Sequence, residues 1–167
     1  MNSIKEPMNI RTNTPNLPGN PPITVQAKLA AAWTSFMFLY AYVDILGFYK
    51  PGVVEGILAG VVWEVQITQA FLVIALSLMA VPILMIALST ILAPRANRIA
   101  NLVVASLYVP VSVFNVIGES WTYYYWGAVG LELVVLAMIL RLAWAWPRAT
   151  HRSRGWSRNA AAANPQA

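Results

Sequence analysis

The stretch ITQAFLVIALSLMAVPILMIALSTIL, residues 67–92, carries no charged side chain in 26 positions. A helix rises about 1.5 Å per residue, so about 20 apolar residues cross a hydrocarbon core of about 30 Å. The run therefore predicts a membrane-spanning helix. Three more stretches of near-bilayer length accompany it: Leu29–Gly47, Ile99–Ile117 and Tyr123–Trp144. Together they predict an all-α membrane protein, a four-transmembrane-helix bundle.

The composition agrees. Apolar residues make up 59% of the 167-residue chain and charged residues 10%, against about 25% charged in ordinary soluble domains. A soluble domain of this length has too little interior to hide that much apolar surface. Residues 27–147 read as one transmembrane domain. Residues 1–26, polar and rich in Asn and Pro, read as a disordered tail, and residues 148–167 as a second, basic one. The first 26 residues have no apolar core of the kind a secretory signal needs.

Charge sets the expected orientation. Lys5, Arg11, Lys28, Arg95, Arg98, Arg141, Arg148, Arg152, Arg154 and Arg158 fall on one side of a four-span arrangement, and Lys50 alone on the other. The positive-inside rule then puts both termini and the Pro94–Arg98 loop in the cytoplasm. Asp44, Glu55, Glu64 and Glu119 collect on the outer side with Phe48, Tyr49, Trp63, Trp121 and the Tyr123–Trp126 aromatics. Trp144 and Trp146 mark the inner interface. The net charge of +5 is read as affinity for an anionic leaflet. No basic patch with interleaved aromatics suggests nucleic acid.

In the first outer loop, Pro51 suits a helix start. Val53, Val54, Ile57, Leu58, Val61 and Val62 repeat about every four residues. This predicts a short outer interfacial helix, too short to span. Gly52, Gly56 and Gly60, four apart, suggest close packing on another helix. Pro82 and Pro110 lie inside spans, where each removes a backbone donor and frees a carbonyl four residues earlier. Ser or Thr side chains are the expected partners for those carbonyls.

Glu132 stands out, near the middle of the last span. An ionised carboxylate at that depth costs at least about 2.5 kcal/mol. It reads either as a proton-titrating or cation-binding group, or as a protonated carboxyl bonded to a neighbouring helix. In the first span Tyr40 and Asp44 lie one turn apart, so the tyrosine can reach the acid. In the third, Asn101, Tyr108, Ser112, Asn115 and Glu119 follow spacings of seven, four, three and four, which is one helical face. That face must point inward. It lines a water-filled cavity closing on Glu132, or it bonds helix to helix. Gln69 and Ser77 of the second span are candidates to join it. The outer acids have no ligand spacing, so no metal site is expected.

Much chemistry is excluded. There is no cysteine, hence no thiol nucleophile, iron–sulfur cluster or Cys-based zinc site. The single histidine, His151, lies in the basic tail, so bis-His haem ligation within the bundle is ruled out. No phosphate-cradling glycine loop and no His-Glu zinc motif occurs. No catalytic residue and no cofactor is assigned.

Several segments form a recognisable set: KLAAA (28–32) with Trp33, FMFLYAYVDILGFYKPGVVEGILAG (36–60), ITQAF (67–71), LAPRANRIAN (92–101), GESWTYYY (118–125), Glu132 and AWAWP (143–147). In this set the chain resembles a family of small bacterial four-span membrane proteins catalogued only as a domain of unknown function. The resemblance spans about residues 28–148. It implies a bacterial cytoplasmic membrane and a four-helix bundle, and brings no catalytic residues. The functional expectation is a non-enzymatic accessory or interaction subunit. Its partners would be the bilayer and either a second copy or another membrane protein. The alternative is a small proton- or cation-coupled transporter using Glu132.

Overall fold

A computed structural model describes residues 22–146. The polar stretch up to residue 21, Pro147, His151 and the basic C-terminal run lie outside the described residues. The elements are α1 (Val25–Gly47), α2 (Val53–Leu58), β1 (Val61–Val62), β2 (Val65–Gln66), α3 (Gln69–Ile91), α4 (Pro94–Phe114) and α5 (Thr122–Trp144). α1, α3, α4 and α5 are each long and apolar enough to cross a membrane.

Local chemistry fixes the helix starts. Thr24 accepts from Ala27 N at 3.2 Å and Thr68 from Phe71 N at 3.1 Å. Each hydroxyl satisfies an amide that the first helical turn leaves open. α1 thus begins at Val25, ahead of the apolar run at Leu29. α4 begins with Pro94 at its first turn, where the missing N–H costs nothing. The Pro94–Arg98 segment, expected as a loop, is therefore helix, and only Leu92 and Ala93 link α3 to α4. Apolarity marks where a span is greasy, not where its helix starts.

The four long helices alternate in direction. α1 packs on α3 and α5, and α4 packs on α5, while α3 and α4 meet more lightly. One end of the bundle carries α2 and the β1–β2 hairpin, and the other carries the tight α3–α4 link at Pro94. The buried face of α1 is Leu29, Ala32, Trp33, Phe36 and Tyr40, a helical repeat of three and four. It meets Met85 of α3, Ala105 and Tyr108 of α4, and Leu136 and Ile139 of α5. Within it, Phe36 sits edge-on to Trp33 and Tyr108 with ring centroids 5.8 Å apart in both pairs. Such pairs contribute about 0.5–1.5 kcal/mol beyond area burial. Phe38, Leu72, Ile74, Leu76, Leu107 and Val134 are exposed on the outside, as lipid-facing residues are.

The short helix departs from expectation. α2 ends at Leu58, and Val61 and Val62 pair antiparallel with Gln66 and Val65 instead of continuing it. Gly60, at φ +81°, turns the chain out of the helix, and the β-branched valines then suit a strand. Gly52 and Gly60 do not support helix packing: a Cβ at either would meet nothing within 4 Å. They serve the left-handed backbone at the two ends of α2.

Pro82 and Pro110 both lie inside helices. The carbonyl freed by Pro82 is that of Leu78, and its partner is not Ser or Thr. The Tyr108 hydroxyl of α4 donates to it.

Candidate functional site

α4 is the most polar of the long helices, and its buried residues are Asn97, Asn101, Ala105, Tyr108 and Ser112. In hydrocarbon each unpaired polar group costs several kcal/mol, so this face has to find partners on α1, α3 and α5.

Near the Pro94 end it does so through one network. The Trp33 indole Nε1 donates to Asn101 Oδ1 at 2.7 Å. The Asn101 amide donates to the Asn97 carbonyl at 2.9 Å and to Asn97 Oδ1 at 2.6 Å. The Asn97 amide donates to the Ser89 carbonyl at 2.6 Å, one of the last-turn carbonyls of α3 that lack a helical donor. The Ser89 hydroxyl lies 3.4 Å from the Asn101 amide. All three polar residues are fully buried. Three helices are tied here by groups of which the hydropathy pattern shows only Asn101. Asn97 falls before the apolar run, and the partners Trp33 and Ser89 sit on other spans.

Nearer the hairpin end, Tyr108 bonds the Leu78 carbonyl of α3 and the Asn115 amide donates to the Tyr40 hydroxyl of α1. Tyr40 is therefore engaged by α4. Its expected bond to Asp44 is not formed, and Asp44 lies exposed one turn further along α1. The Tyr124 hydroxyl donates to the Val43 carbonyl at 2.8 Å and joins α5 to α1.

Glu132 is 3% exposed and sits at the middle of α5. The Ser112 hydroxyl faces its carboxyl, and Tyr40 is close enough to feel its charge. Ser112 Oγ and Glu132 Oε2 are both buried with no hydrogen-bond partner on any other residue. Glu132, Ser112, Tyr40, Asn115 and Tyr108 thus lie in one region of the bundle.

Glu119 does not belong to that face. Gly118, at φ +86°, turns the chain away after α4. The Glu119 carboxylate instead meets Lys50 Nζ at 2.6 Å and Trp63 Nε1 at 2.8 Å. Lys50 also lies 5.4 Å from the Tyr125 ring centroid. The link unites the α1–α2 turn, the hairpin and the α4–α5 turn. Trp63 is itself at φ +56°, a left-handed conformation that a bulky residue adopts only when held.

Gln69 and Ser77 of α3 are exposed, Ser77 bonding its own helix at Val73 O. They do not join the polar face, and Ser89 does. A surface cleft at the hairpin end is lined by Ser120, Trp121, Thr122, Tyr123 and Tyr124. None of these five residues is part of the Glu132 cluster. Among the described residues no group of three or more His, Cys, Asp or Glu side chains converges on a metal-sized site.

Four long apolar helices enclosing a polar seam define the class: a multi-pass α-helical bundle compatible with a membrane protein. Residues 24–153 match the Family of unknown function (DUF6326), and the chain belongs to that family. No curated protein and no solved structure matches the chain.

Proposed function

We propose that the protein is a non-enzymatic integral membrane subunit of the bacterial cytoplasmic membrane, with both termini in the cytoplasm. Its role is to associate with another membrane protein. The observation that carries this reading is how the buried polar groups of α4 are used. Asn97, Asn101 and Tyr108, with half-buried Asn115 at the helix end, all bond α1 or α3, and Ser112 alone of the buried polar residues of α4 does not. Groups committed to holding helices together are not free to line a route. The distribution of exposed surface adds to it: the first half of α3, through Leu78, has no buried residue, leaving a long apolar face for lipid or a partner helix.

Charge placement supports the orientation. Lys28, Arg95 and Arg98 gather at the Pro94 end and Arg141 lies in the last turn of α5. Lys50, at the opposite end, is neutralised by Glu119.

The test is purification of the tagged chain from native membranes at its natural abundance, in mild detergent, with native mass spectrometry of the product. A stoichiometric second polypeptide is the expected result. Recovery of the chain only as itself, alone or with further copies, would overturn the accessory role.

A further inference from the structure

Four hydroxyls inside these helices return to their own backbone. Thr34 bonds Ala30 O, Ser35 bonds Ala31 O, Ser77 bonds Val73 O and Thr90 bonds Ala87 O. Ser112 does not. Fully buried, its hydroxyl faces the Glu132 carboxyl of α5, and neither Ser112 Oγ nor Glu132 Oε2 has a hydrogen-bond partner on any other residue. Buried polar atoms short of partners in a native structure call for an explanation, and a bound small species is one.

Electrostatics narrows what that species is. The other charged group acting on Glu132 is the Asp44 carboxylate, and Tyr40 feels both acids. Among the described residues no basic side chain pairs with Glu132. Lys50 is committed to Glu119, and Arg95, Arg98 and Arg141 lie toward the far end of the bundle. An apolar surround keeps a carboxylate ionised only with a counter-charge, and without one the acid takes up a proton. One carboxylate with neutral hydroxyl oxygens is a weak donor set for a divalent ion, which draws on several carboxylates. It suits a small hard monovalent cation.

We propose that Glu132 and Ser112, with the Tyr40 hydroxyl as a further oxygen, form a buried site for a small monovalent cation of the sodium class. The ion bridges α1, α4 and α5 at mid-bundle, at the two buried oxygens that the hydrogen-bond networks do not take up. The site requires no transport, so it stands apart from the accessory role: an ion bound only to the folded state stabilises it by mass action.

The full chain in nanodiscs of zwitterionic lipid is melted, with its tryptophans as the probe, in sodium, lithium, potassium or choline chloride at equal ionic strength. Sodium is expected to raise the melting temperature saturably, by roughly 5 °C over choline. Glu132→Gln is expected to abolish the rise and Ser112→Ala to weaken it, while Glu119→Gln, an acid outside the site, keeps it. Identical melting of wild type in all four salts overturns the site, and this arm needs no variant to fold. A stability that follows pH alone, indifferent to the salt, identifies a proton as the counter-charge and also overturns it. A sodium effect that survives in Glu132→Gln places the ion elsewhere and overturns the assignment.

Discussion

Tyr108 and Pro82 show at the scale of single residues how this chain accommodates its own defects. Pro82 deprives Leu78 O of its helical donor, and the Tyr108 hydroxyl supplies one from α4. Tyr108→Phe should therefore destabilise the bundle by about 1 kcal/mol, within the range of interhelical hydrogen bonds in membranes. In a Pro82→Ala background the restored amide serves Leu78 O, and the same Tyr108→Phe change should cost clearly less. Reversible unfolding in mixed detergent, run as a double-mutant cycle, measures the difference. Equal costs in both backgrounds would contradict the pairing. Asn101→Leu should be harsher. It strands the Trp33 indole N–H and removes two bonds to Asn97, and a buried donor left unpaired costs about 1–3 kcal/mol. The inward face of α4 was legible in the sequence because Asn101, Tyr108, Ser112 and Asn115 keep helical spacing. Their partners were not. Trp33 and Ser89 each stand in an apolar run with nothing to show which helix they face, and only the packing of α1 and α3 against α4 brings them within reach.

The four long helices were legible as elements because apolarity at bilayer length has few other readings, and their ends needed other chemistry. Thr24, Thr68 and Pro94 set the starts of α1, α3 and α4 at positions that hydropathy does not weigh. The connection after α1 misled, because apolar residues four apart fit a helix, and a glycine with positive φ turned the last of them into a hairpin. That hairpin is held by Glu119, which reaches Trp63 and Lys50 together. Glu119→Ala should accordingly raise amide exchange over Val61–Gln66 by about tenfold, the equivalent of about 1.4 kcal/mol. Exchange in the middle of α1 and α5 should stay unchanged. Hydrogen-exchange mass spectrometry separates the two regions. An unchanged hairpin would show that the ion pair and indole bond do not hold it.

Across the whole molecule, charge is sorted by end and polarity by seam. The described basic residues outside the Lys50–Glu119 pair lie toward the Pro94 end, so C-terminal fusions should give a fluorescent cytoplasmic reporter and an inactive periplasmic phosphatase. The reverse pattern would invert the orientation. Within the bundle, Asn97, Asn101 and Tyr108 of α4 bind helices to one another, and Glu132 lies closed off at 3% exposure. Under the proposed function the bundle is a scaffold and not a conduit. Reconstitution in liposomes with an internal pH dye, under an imposed proton or sodium gradient, tests that directly. Wild type should show no flux above empty liposomes. Flux in wild type that Glu132→Gln abolishes, with both proteins folded, would contradict the account and make Glu132 the working group of a transporter.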